Sequence, residues 1–258
     1  MSNLQPRRAE RVAAILKRLS VDRSLGVAEL AESFGVSQAT MRRDLQTLQE
    51  QRLLTRTHGG VHASDVAYEL PVRYRDAHNR EQKRRIAAAA VSRIPQGAVV
   101  VGLTGGTTTS EVARLLVERT DITVVTNALN IAAELALRPR LGLVVTGGIS
   151  RSQSYELVGP WAERTLLGLN MSIAFVGVDG ISADGGLTTH DPVEAKTNAV
   201  LISRARRTIV VADGSKVGHD LLARIVEVQD VDELITDDSA DESACKALRR
   251  TGLTVTLA

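Results

Sequence analysis

Near the N-terminus, residues 27–61 read VAELAESFGVSQATMRRDLQTLQEQRLLTRTHGGV. Apolar residues recur at helical spacing before Gly35, a residue suited to the left-handed turn that ends a helix. Ser37 then predicts the N-cap of another helix, which continues to about Gln51. Two short helices joined by a tight Gly-Val-Ser turn predict a helix-turn-helix unit.

Segments on either side complete this unit. Residues 7–19 carry apolar side chains at helical spacing and predict a helix that precedes the helix-turn-helix. Gly26, with Glu29 three residues later, predicts an N-cap and a capping box at the start of the second helix. Behind the third helix, alternating residues closed by the glycine pair at 59–60 predict a β-ribbon, the wing of a winged helix.

The third helix has two chemically different faces. At about 100° per residue, Met41, Leu45 and Leu48 share one face, as a helix packed on a core requires. The opposite face carries Arg and Gln, which can bond guanine and adenine in the major groove. The alternative is that these side chains only solvate a surface. The residues predicted to contact DNA, from helix and wing, are Ser37, Gln38, Ala39, Thr40, Arg42, Arg43, Gln46, Arg56 and His58.

Composition and charge fit a basic unit joined to a larger domain. Residues 1–60 hold ten Lys and Arg against six Asp and Glu, whereas the rest of the 258-residue chain holds 22 against 24. Cys245 is the only cysteine, so no internal disulfide can form. The sequence shows no signal peptide and no run of about 20 apolar residues, so we expect a cytoplasmic protein without a membrane span.

Beyond residue 80, strand-like and helix-like segments alternate, which is typical of a doubly wound α/β domain with a mostly parallel sheet. The strand candidates are 98–103, 122–126, 141–146, 173–178, 208–212, 233–236 and 254–257. The helix candidates are 81–94, 110–119, 128–137, 192–205 and 241–250. We therefore assign residues 1–62 to the winged helix-turn-helix, 63–80 to a linker and 81–258 to the α/β domain.

Polar and glycine residues follow the predicted strands, where open α/β sheets bind their ligands. The loop at 104–109 reads Thr-Gly-Gly-Thr-Thr-Thr; its glycines let the backbone approach an anion, and helix N-terminal amides point at it. Each strand end alone could be an ordinary turn, but together they predict one anionic, hydroxyl-rich ligand. Lys83 and Lys216 are the candidate phosphate cations. The remaining pocket candidates are Thr104, Gly105, Gly106, Thr107, Thr108, Asn127, Gly147, Gly148, Asp179 and Asp213.

The quoted stretch resembles the DNA-binding segment of the DeoR family of bacterial regulators, through its ELA, VS, T-x-RRDL and RTHGG elements in the same order. The rest of the chain is similar to the sensor domain of that family, whose fold resembles ribose-5-phosphate isomerase. The resemblance implies binding to double-stranded operator DNA, usually as a repressor of sugar-catabolic genes, under control of a phosphorylated sugar effector. The residues that match the sensor are Lys83, Thr107, Thr108, Asp179, Glu194 and the segment 213–216.

Two departures bear on the ligand and on chemistry. DeoR sensors usually carry Asp where this chain has Thr104, which bears on ligand choice. The isomerases place a second Asp and a Lys where this chain has Ser182 and, at 183–186, Ala-Asp-Gly-Gly. Because isomerisation needs a carboxylate base and a cation that stabilises the enediolate, we expect a sensor and not an enzyme.

Two other functions stay open: a sugar-phosphate isomerase with an appended DNA-binding module, and a regulator whose C-terminal half only oligomerises. No cofactor is expected. His58 and His62 are four residues apart, but the glycines between them make a helix improbable, so no metal site is expected either. The two-fold symmetry of duplex operators favours a homo-oligomer, a dimer or a tetramer.

Overall fold

The computed structural model of the chain describes residues 8–22, 24–50, 53–57, 60–63, 71–75 and 79–258, which fall into two compact units, one within residues 1–78 and one at 79–258. The first unit packs helices against a small antiparallel sheet of strand order β1-β3-β2. Its elements are α1 (Arg8–Asp22), β1 (Ser24–Gly26), α2 (Val27–Ser33), α3 (Gln38–Glu50), β2 (Leu54–Thr57), β3 (Gly60–Ala63) and α4 (Val72–Arg75).

The predicted helix-turn-helix is confirmed, with one local correction. Helix α2 ends before Gly35, whose φ of +63° is the expected left-handed conformation. The Ser37 hydroxyl caps α3 by accepting the Thr40 N–H at 3.1 Å. Gly26 is the N-cap of α2, but the predicted capping box is wrong. Gly26 has no side chain to accept a bond, and the Glu29 carboxylate instead accepts from Arg18.

The buried face of α3 is the predicted one. Met41, Leu45 and Leu48 are fully buried and belong to one apolar cluster with Ile15 and Leu19 of α1. Burial of such a side chain contributes about 1.5–3 kcal/mol relative to exposure. This packing fixes α3 on α1 and leaves the opposite face of α3 in solvent.

A buried ion pair also joins these two helices. The Asp44 carboxylate on α3 accepts from Arg8 Nε at 2.9 Å and from Arg11 Nη2 at 2.7 Å. The Asp44 and Arg11 side chains are almost completely buried, whereas Arg8 is exposed. Asp44 directly follows the two arginines predicted to read DNA, so its contacts with α1 hold that part of α3 in place.

Part of the segment assigned to the linker is folded. Ala63 pairs with Leu54 in the β2–β3 ladder, and Val72 is buried in the short helix α4, which contacts α1. Asn79 is the N-cap residue of the first helix of the second unit. Residues 64–70 and 76–78, which the sequence also placed in the linker, lie outside the described residues.

The second unit is built on a seven-stranded sheet of order β15-β14-β12-β9-β4-β5-β6, with every neighbouring pair parallel. The predicted doubly wound α/β class is therefore confirmed. Its elements are α5 (Arg80–Val91), β4 (Val99–Leu103), α6 (Thr107–Leu116), β5 (Ile122–Thr126), α7 (Leu129–Leu135), β6 (Gly142–Val145), β7 (Ile149–Arg151), β8 (Glu156–Val158), α8 (Pro160–Leu167), β9 (Ile173–Val176), β10 (Gly180–Ser182), β11 (Gly186–Thr189), α9 (Pro192–Ser203), β12 (Thr208–Val211), β13 (Ala223–Val226), β14 (Glu233–Thr236), α10 (Glu242–Arg250) and β15 (Thr254–Leu257), with 3-10 turns at Gly214–Lys216 and Val228–Asp230.

Strand β9 shows how the sheet separates two cores. Successive side chains of a strand point to opposite faces. Ile173 and Phe175 accordingly pack in an apolar cluster with α5, α6 and α7, whereas Ala174 and Val176 pack in a second cluster with α8, α9 and α10. Both faces of the sheet are covered, as parallel sheets require. None of the described helices is long and apolar enough to cross a bilayer.

The sequence did not predict the β7–β8 hairpin, the helix α8 or the three-stranded sheet β10-β11-β13. These strands are three or four residues long, too short for a clear period in hydrophobicity. Strand β11 is buried at all four positions although it reads Gly-Leu-Thr-Thr. Its burial comes from tertiary contacts and not from an apolar pattern.

The Asp44 ion pair gives a test of the first unit. We expect Asp44→Ala to lower the free energy of unfolding by about 3 kcal/mol, because it removes the carboxylate that two arginines share, one of them buried. Thermal unfolding of the full-length protein measures the change. Glu32→Ala, at an exposed position of α2, is the control and should change stability by less than about 0.5 kcal/mol. Equal stability of the two variants would contradict the role given to Asp44.

Candidate DNA-binding surface and effector pocket

The outward face of α3 carries the predicted base-reading residues. Arg42, Arg43 and Gln46 are exposed, and their contacts are intrahelical and weak: Arg42 donates to Gln38 Oε1 at 3.3 Å and Gln46 donates to Glu50 Oε1 at 3.1 Å. Such contacts are readily exchanged for base edges. Within the described part of the first unit, this face is therefore exposed.

The N-terminus of α3 and the wing complete this surface. Ala39 is exposed, and Ser37 and Thr40 bond each other at the cap, where helix N-terminal amides favour phosphate. Arg56 lies exposed on β2, opposite Val61 of β3. His58, predicted to contact DNA from the wing, lies outside the described residues.

The second unit has its topological switch point between β4 and β9. From β4 the chain continues outward through β5 and β6, and from β9 it continues the other way through β12, β14 and β15. Open α/β sheets bind ligands in the crevice at the carboxyl ends of the strands at such a point. Here the crevice is lined by the loop that begins at Thr104 and by the segment that begins at Gly177.

Glycines let these two segments approach closely. A Cβ on Gly177 would lie 2.8 Å from the carbonyl oxygen of Gly105, and a Cβ on Gly105 would lie 2.6 Å from the Glu156 carboxylate. Gly106 has a φ of +134°, which side chains rarely allow. After it α6 begins at Thr107, and the first-turn amides of a helix have no carbonyl within the helix to bond. Such amides favour an anion.

Thr104, predicted to contact the ligand, contacts the backbone of the protein instead. It is fully buried, and its hydroxyl accepts the Gly177 N–H at 2.9 Å. The side chain thus ties the end of β4 to the end of β9. It holds the crevice together, and its hydroxyl is already engaged by the backbone.

Cations and a carboxylate meet at one end of the crevice. Asp213 accepts from Asn79 Nδ2 at 2.9 Å and from the Ser215 hydroxyl at 2.5 Å. Burial alone would raise the pKa of Asp213, but these bonds and the charges of Lys83 and Lys216 outweigh it and hold that pKa below its usual value. The charges of both predicted phosphate cations therefore act on Asp213.

A second group of carboxylates lies beside them. Lys216 Nζ is 3.9 Å from Asp179, and the Thr189 hydroxyl bridges Asp179 at 3.2 Å and Glu194 at 2.6 Å. Arg151, from the β7–β8 hairpin, donates to Glu194 at 3.1 Å. The structure thus brings Asp179, Glu194 and Lys216 together.

Glu156 connects this group to the loop. Its carboxylate accepts the Gly105 N–H at 2.5 Å and is bonded by Asn198 Nδ2 at 3.1 Å. Burial raises the pKa of Glu156 well above its usual value, and the charges of Glu194 and Asp179 raise it further. Burial likewise raises the pKa of Glu194.

Of the other predicted pocket residues, Asn127 belongs to the polar network and the glycines at 147–148 belong to the backbone before β7. Asn127 is fully buried and donates to Asn198 Oδ1 at 3.2 Å, which places it in the same polar network. Gly148 has a φ of +143°, and a Cβ there would lie 3.0 Å from the backbone of Val158. Gly148 therefore lets the chain before β7 pass close to the backbone of β8, and Gly147 meets no neighbour that would require a glycine.

Sequence reasoning missed several pocket residues because they do not follow a predicted strand. Arg151 and Glu156 lie on the unpredicted hairpin, and Thr189 ends the unpredicted strand β11. Asn198 carried a usable signal: it stands four residues after Glu194 on a predicted helix, so the two share a helical face.

Two family matches cover most of the chain. Residues 11–66 match the DeoR-like helix-turn-helix domain, and residues 78–238 match the DeoR C terminal sensor domain. The chain belongs to the DeoR family. It is therefore a DNA-binding transcriptional regulator, a class distinct from enzymes.

Similar relatives of this DeoR-family chain come from Escherichia coli. The putative aga operon transcriptional repressor of strain O157:H7 is 36% identical over 252 residues, which are 96% of this chain and 93% of the relative. The glycerol-3-phosphate regulon repressor of strain K12 is 30% identical over 242 residues, which are 94% and 96%. Ribose 5-phosphate isomerase A from Methanocaldococcus jannaschii is similar over 56% of this chain and 55% of that chain, with 20% identity and a TM-score of 0.40, a likeness too weak to bear on activity.

Carboxylates outnumber cations in the pocket of this DeoR-family regulator. The cations are Lys83, Arg151 and Lys216, and Arg151 also lies 3.5 Å from Asp191. Such a pocket can hold a polar ligand by many hydrogen bonds. An anionic ligand, however, needs a hydrogen-bond donor that is not already bonded to a carboxylate. The carboxylates are Glu156, Asp179, Asp191, Glu194 and Asp213.

The raised pKa of Glu156 predicts a pH-dependent effect on stability. A carboxyl whose folded-state pKa lies above its unfolded value stabilises the folded state at low pH, and this stability is lost as the pH rises through that interval. We therefore expect Glu156→Gln to be more stable than wild type by about 1–3 kcal/mol at about pH 8, and the gain to shrink toward about pH 5.

Chemical denaturation of the full-length proteins across this pH range measures the difference. Glu163→Gln is the control, because Glu163 lies outside the pocket and pairs with Lys196 at 3.1 Å. It should show no gain that grows with pH. A Glu156→Gln protein that is less stable than wild type at high pH would contradict the raised pKa of Glu156.

Proposed function

We propose that this regulator represses genes of carbohydrate metabolism and that a phosphorylated sugar, or a related metabolite, controls its affinity for operator DNA. The effector binds in the crevice between β4 and β9 of the second unit, and the first unit contacts the operator. The relatives named for the aga operon and the glycerol-3-phosphate regulon support this pathway class.

The observation that carries the proposal is the loop at 104–109. It stands at the switch point, it begins a helix whose first amides favour an anion, and its Gly105 N–H already holds the carboxylate of Glu156. The loop thus already donates to a carboxyl oxygen from within the protein. A phosphate offers the same kind of oxygen with more charge.

Lys216 is the cation best placed for the phosphate. Its separation of 3.9 Å from Asp179 is longer than a hydrogen bond, and its side chain is 27% exposed. It can therefore turn to a ligand without breaking a tight pair. Lys83 is buried on α5, and its positive charge acts on Asp213.

Catalysis receives less support than sensing. At the position where isomerases place a second acid, the Ser182 hydroxyl accepts the Gly185 N–H at 2.8 Å and also bonds Asp220. These bonds shape the turn between β10 and β11 and supply no base. We further propose that the regulator acts as a homo-oligomer, a dimer or a tetramer, because two-fold operators are read by paired recognition helices.

The recognition face gives a test of DNA binding. We expect Arg43→Ala to weaken binding to an operator selected with the wild-type protein by about 1–3 kcal/mol, because a bidentate contact with a base is lost. The fold should persist, since Arg43 is exposed. Fluorescence anisotropy with a labelled duplex measures the dissociation constant. Arg140→Ala, which removes an exposed arginine of the second unit, should bind almost as wild type. An unchanged constant for Arg43→Ala would exclude Arg43 as a base contact.

The phosphate cation gives a test of sensing. A thermal-shift screen of sugar phosphates identifies the ligand, since a ligand bound only to the folded state raises Tm. We expect Lys216→Ala to bind that ligand at least about tenfold more weakly, while operator binding without ligand stays near wild type. Calorimetry measures both affinities, with Lys246→Ala as the control for an exposed lysine on α10. Equal wild-type affinity for the phosphorylated and free sugar would show that no phosphate is recognised.

A further inference from the structure

Glu156 occupies a donor that the proposed effector needs. Its carboxylate takes the Gly105 N–H, and it is close enough to Gly105 that a Cβ on that glycine would overlap it. Gly105 is the first glycine of the loop at 104–109. A phosphate seated on this loop would therefore share the Gly105 amide with a carboxylate, or lie directly beside one.

The surroundings do not neutralise this carboxylate. From α9 it faces Glu194 and receives a bond from Asn198, and from the segment after β9 it faces Asp179. The nearby cations contact or act on other carboxylates: Arg151 bonds Glu194, Lys216 lies 3.9 Å from Asp179, and the charges of Lys83 and Lys216 act on Asp213. Two like charges a few ångströms apart repel strongly in a buried site.

We propose that the Glu156 carboxylate competes with the anionic group of the effector for the Gly105 N–H and thereby sets the affinity of the pocket for anions. This inference rests on the proposed effector site. In the unliganded pocket the Glu156 carboxylate fills the position at the Gly105 N–H. An anion binds there when Glu156 releases this N–H or takes up a proton. Glu156 is thus a specificity-determining residue of the pocket.

The backbone hydrogen bonds of the β7–β8 hairpin indicate that only the Glu156 side chain moves when it releases the Gly105 N–H. The backbone of the β8 strand is fixed to the segment after β5, because the Leu157 N–H bonds the Asn127 carbonyl at 2.7 Å and the Leu129 N–H bonds the Tyr155 carbonyl at 2.8 Å. The carboxylate is held by the Gly105 N–H and by Asn198. Its release requires a change of side-chain rotamer and not an opening of the hairpin.

Sulfate is the probe for this competition, because it keeps two negative charges across the working pH range and so reports titration of the protein alone. Isothermal calorimetry on the full-length protein compares wild type with Glu156→Gln and Glu156→Ala, and with Glu163→Gln as the control outside the pocket. We expect both Glu156 variants to bind sulfate at least about tenfold tighter than wild type at about pH 8.

Proton uptake on sulfate binding distinguishes the proposed competition from a purely structural role of Glu156, which would not change it. Wild type should bind sulfate more tightly as the pH falls and take up a proton on binding, which calorimetry in buffers of different ionisation enthalpy detects. Glu156→Gln should lose both effects, and Glu163→Gln should keep them. Sulfate binding that is equal or weaker in both Glu156 variants would overturn the competition.

The outcomes separate this inference from the proposed function. If wild type binds sulfate, Lys216→Ala weakens that binding and the Glu156 variants do not strengthen it, then the anion site stands and the competition is wrong. If no protein of the series binds sulfate or any sugar phosphate, then the effector site itself is wrong and the inference falls with it. Binding seen only in the Glu156 variants supports the competition directly.

Discussion

The close backbone contact between the ends of β4 and β9 is the constraint on which the second unit depends. Parallel strands present all their carboxyl ends at one edge of the sheet, and the chain reverses its direction of progress between these two. Thr104 ties the two ends together, and Gly105 and Gly177 have no side chains that would hold them apart. The loop at 104–109, the acids after β9 and the lysine after β12 meet as a consequence.

Charge is the second constraint on this pocket. Buried carboxylates are tolerated when each accepts several hydrogen bonds or lies near a cation. Asp213 satisfies this rule, and its pKa is lowered although burial opposes the shift. Glu156 satisfies it poorly, and its pKa is raised. One buried acid that is poorly stabilised at the proposed anion-binding loop would make the pocket sensitive to ligand charge and to pH.

In the first unit the buried ion pair and the proposed DNA-reading surface share helix α3. The motif T-x-RRDL places two exposed arginines beside the buried Asp44, and Asp44 bonds Arg8 and Arg11 of α1. One short motif thus points its arginines outward and fixes their helix from inside. Hydrophobic spacing predicts the buried face of α3, but spacing does not show that a carboxylate joins it.

The sequence by itself determined the features that repeat along the chain or depend on one residue type: the helix-turn-helix, the strand and helix alternation, the start of α9 and the loop at 104–109. These follow from local rules of period, capping and glycine conformation, which need no distant partner. The tertiary structure alone decided the strand order, the β7–β8 hairpin and the contact of Glu156 with Gly105, 51 residues away in sequence. Long-range contacts of this kind depend on which strand ends become neighbours, and that information lies in the packing of the whole sheet and in no single segment.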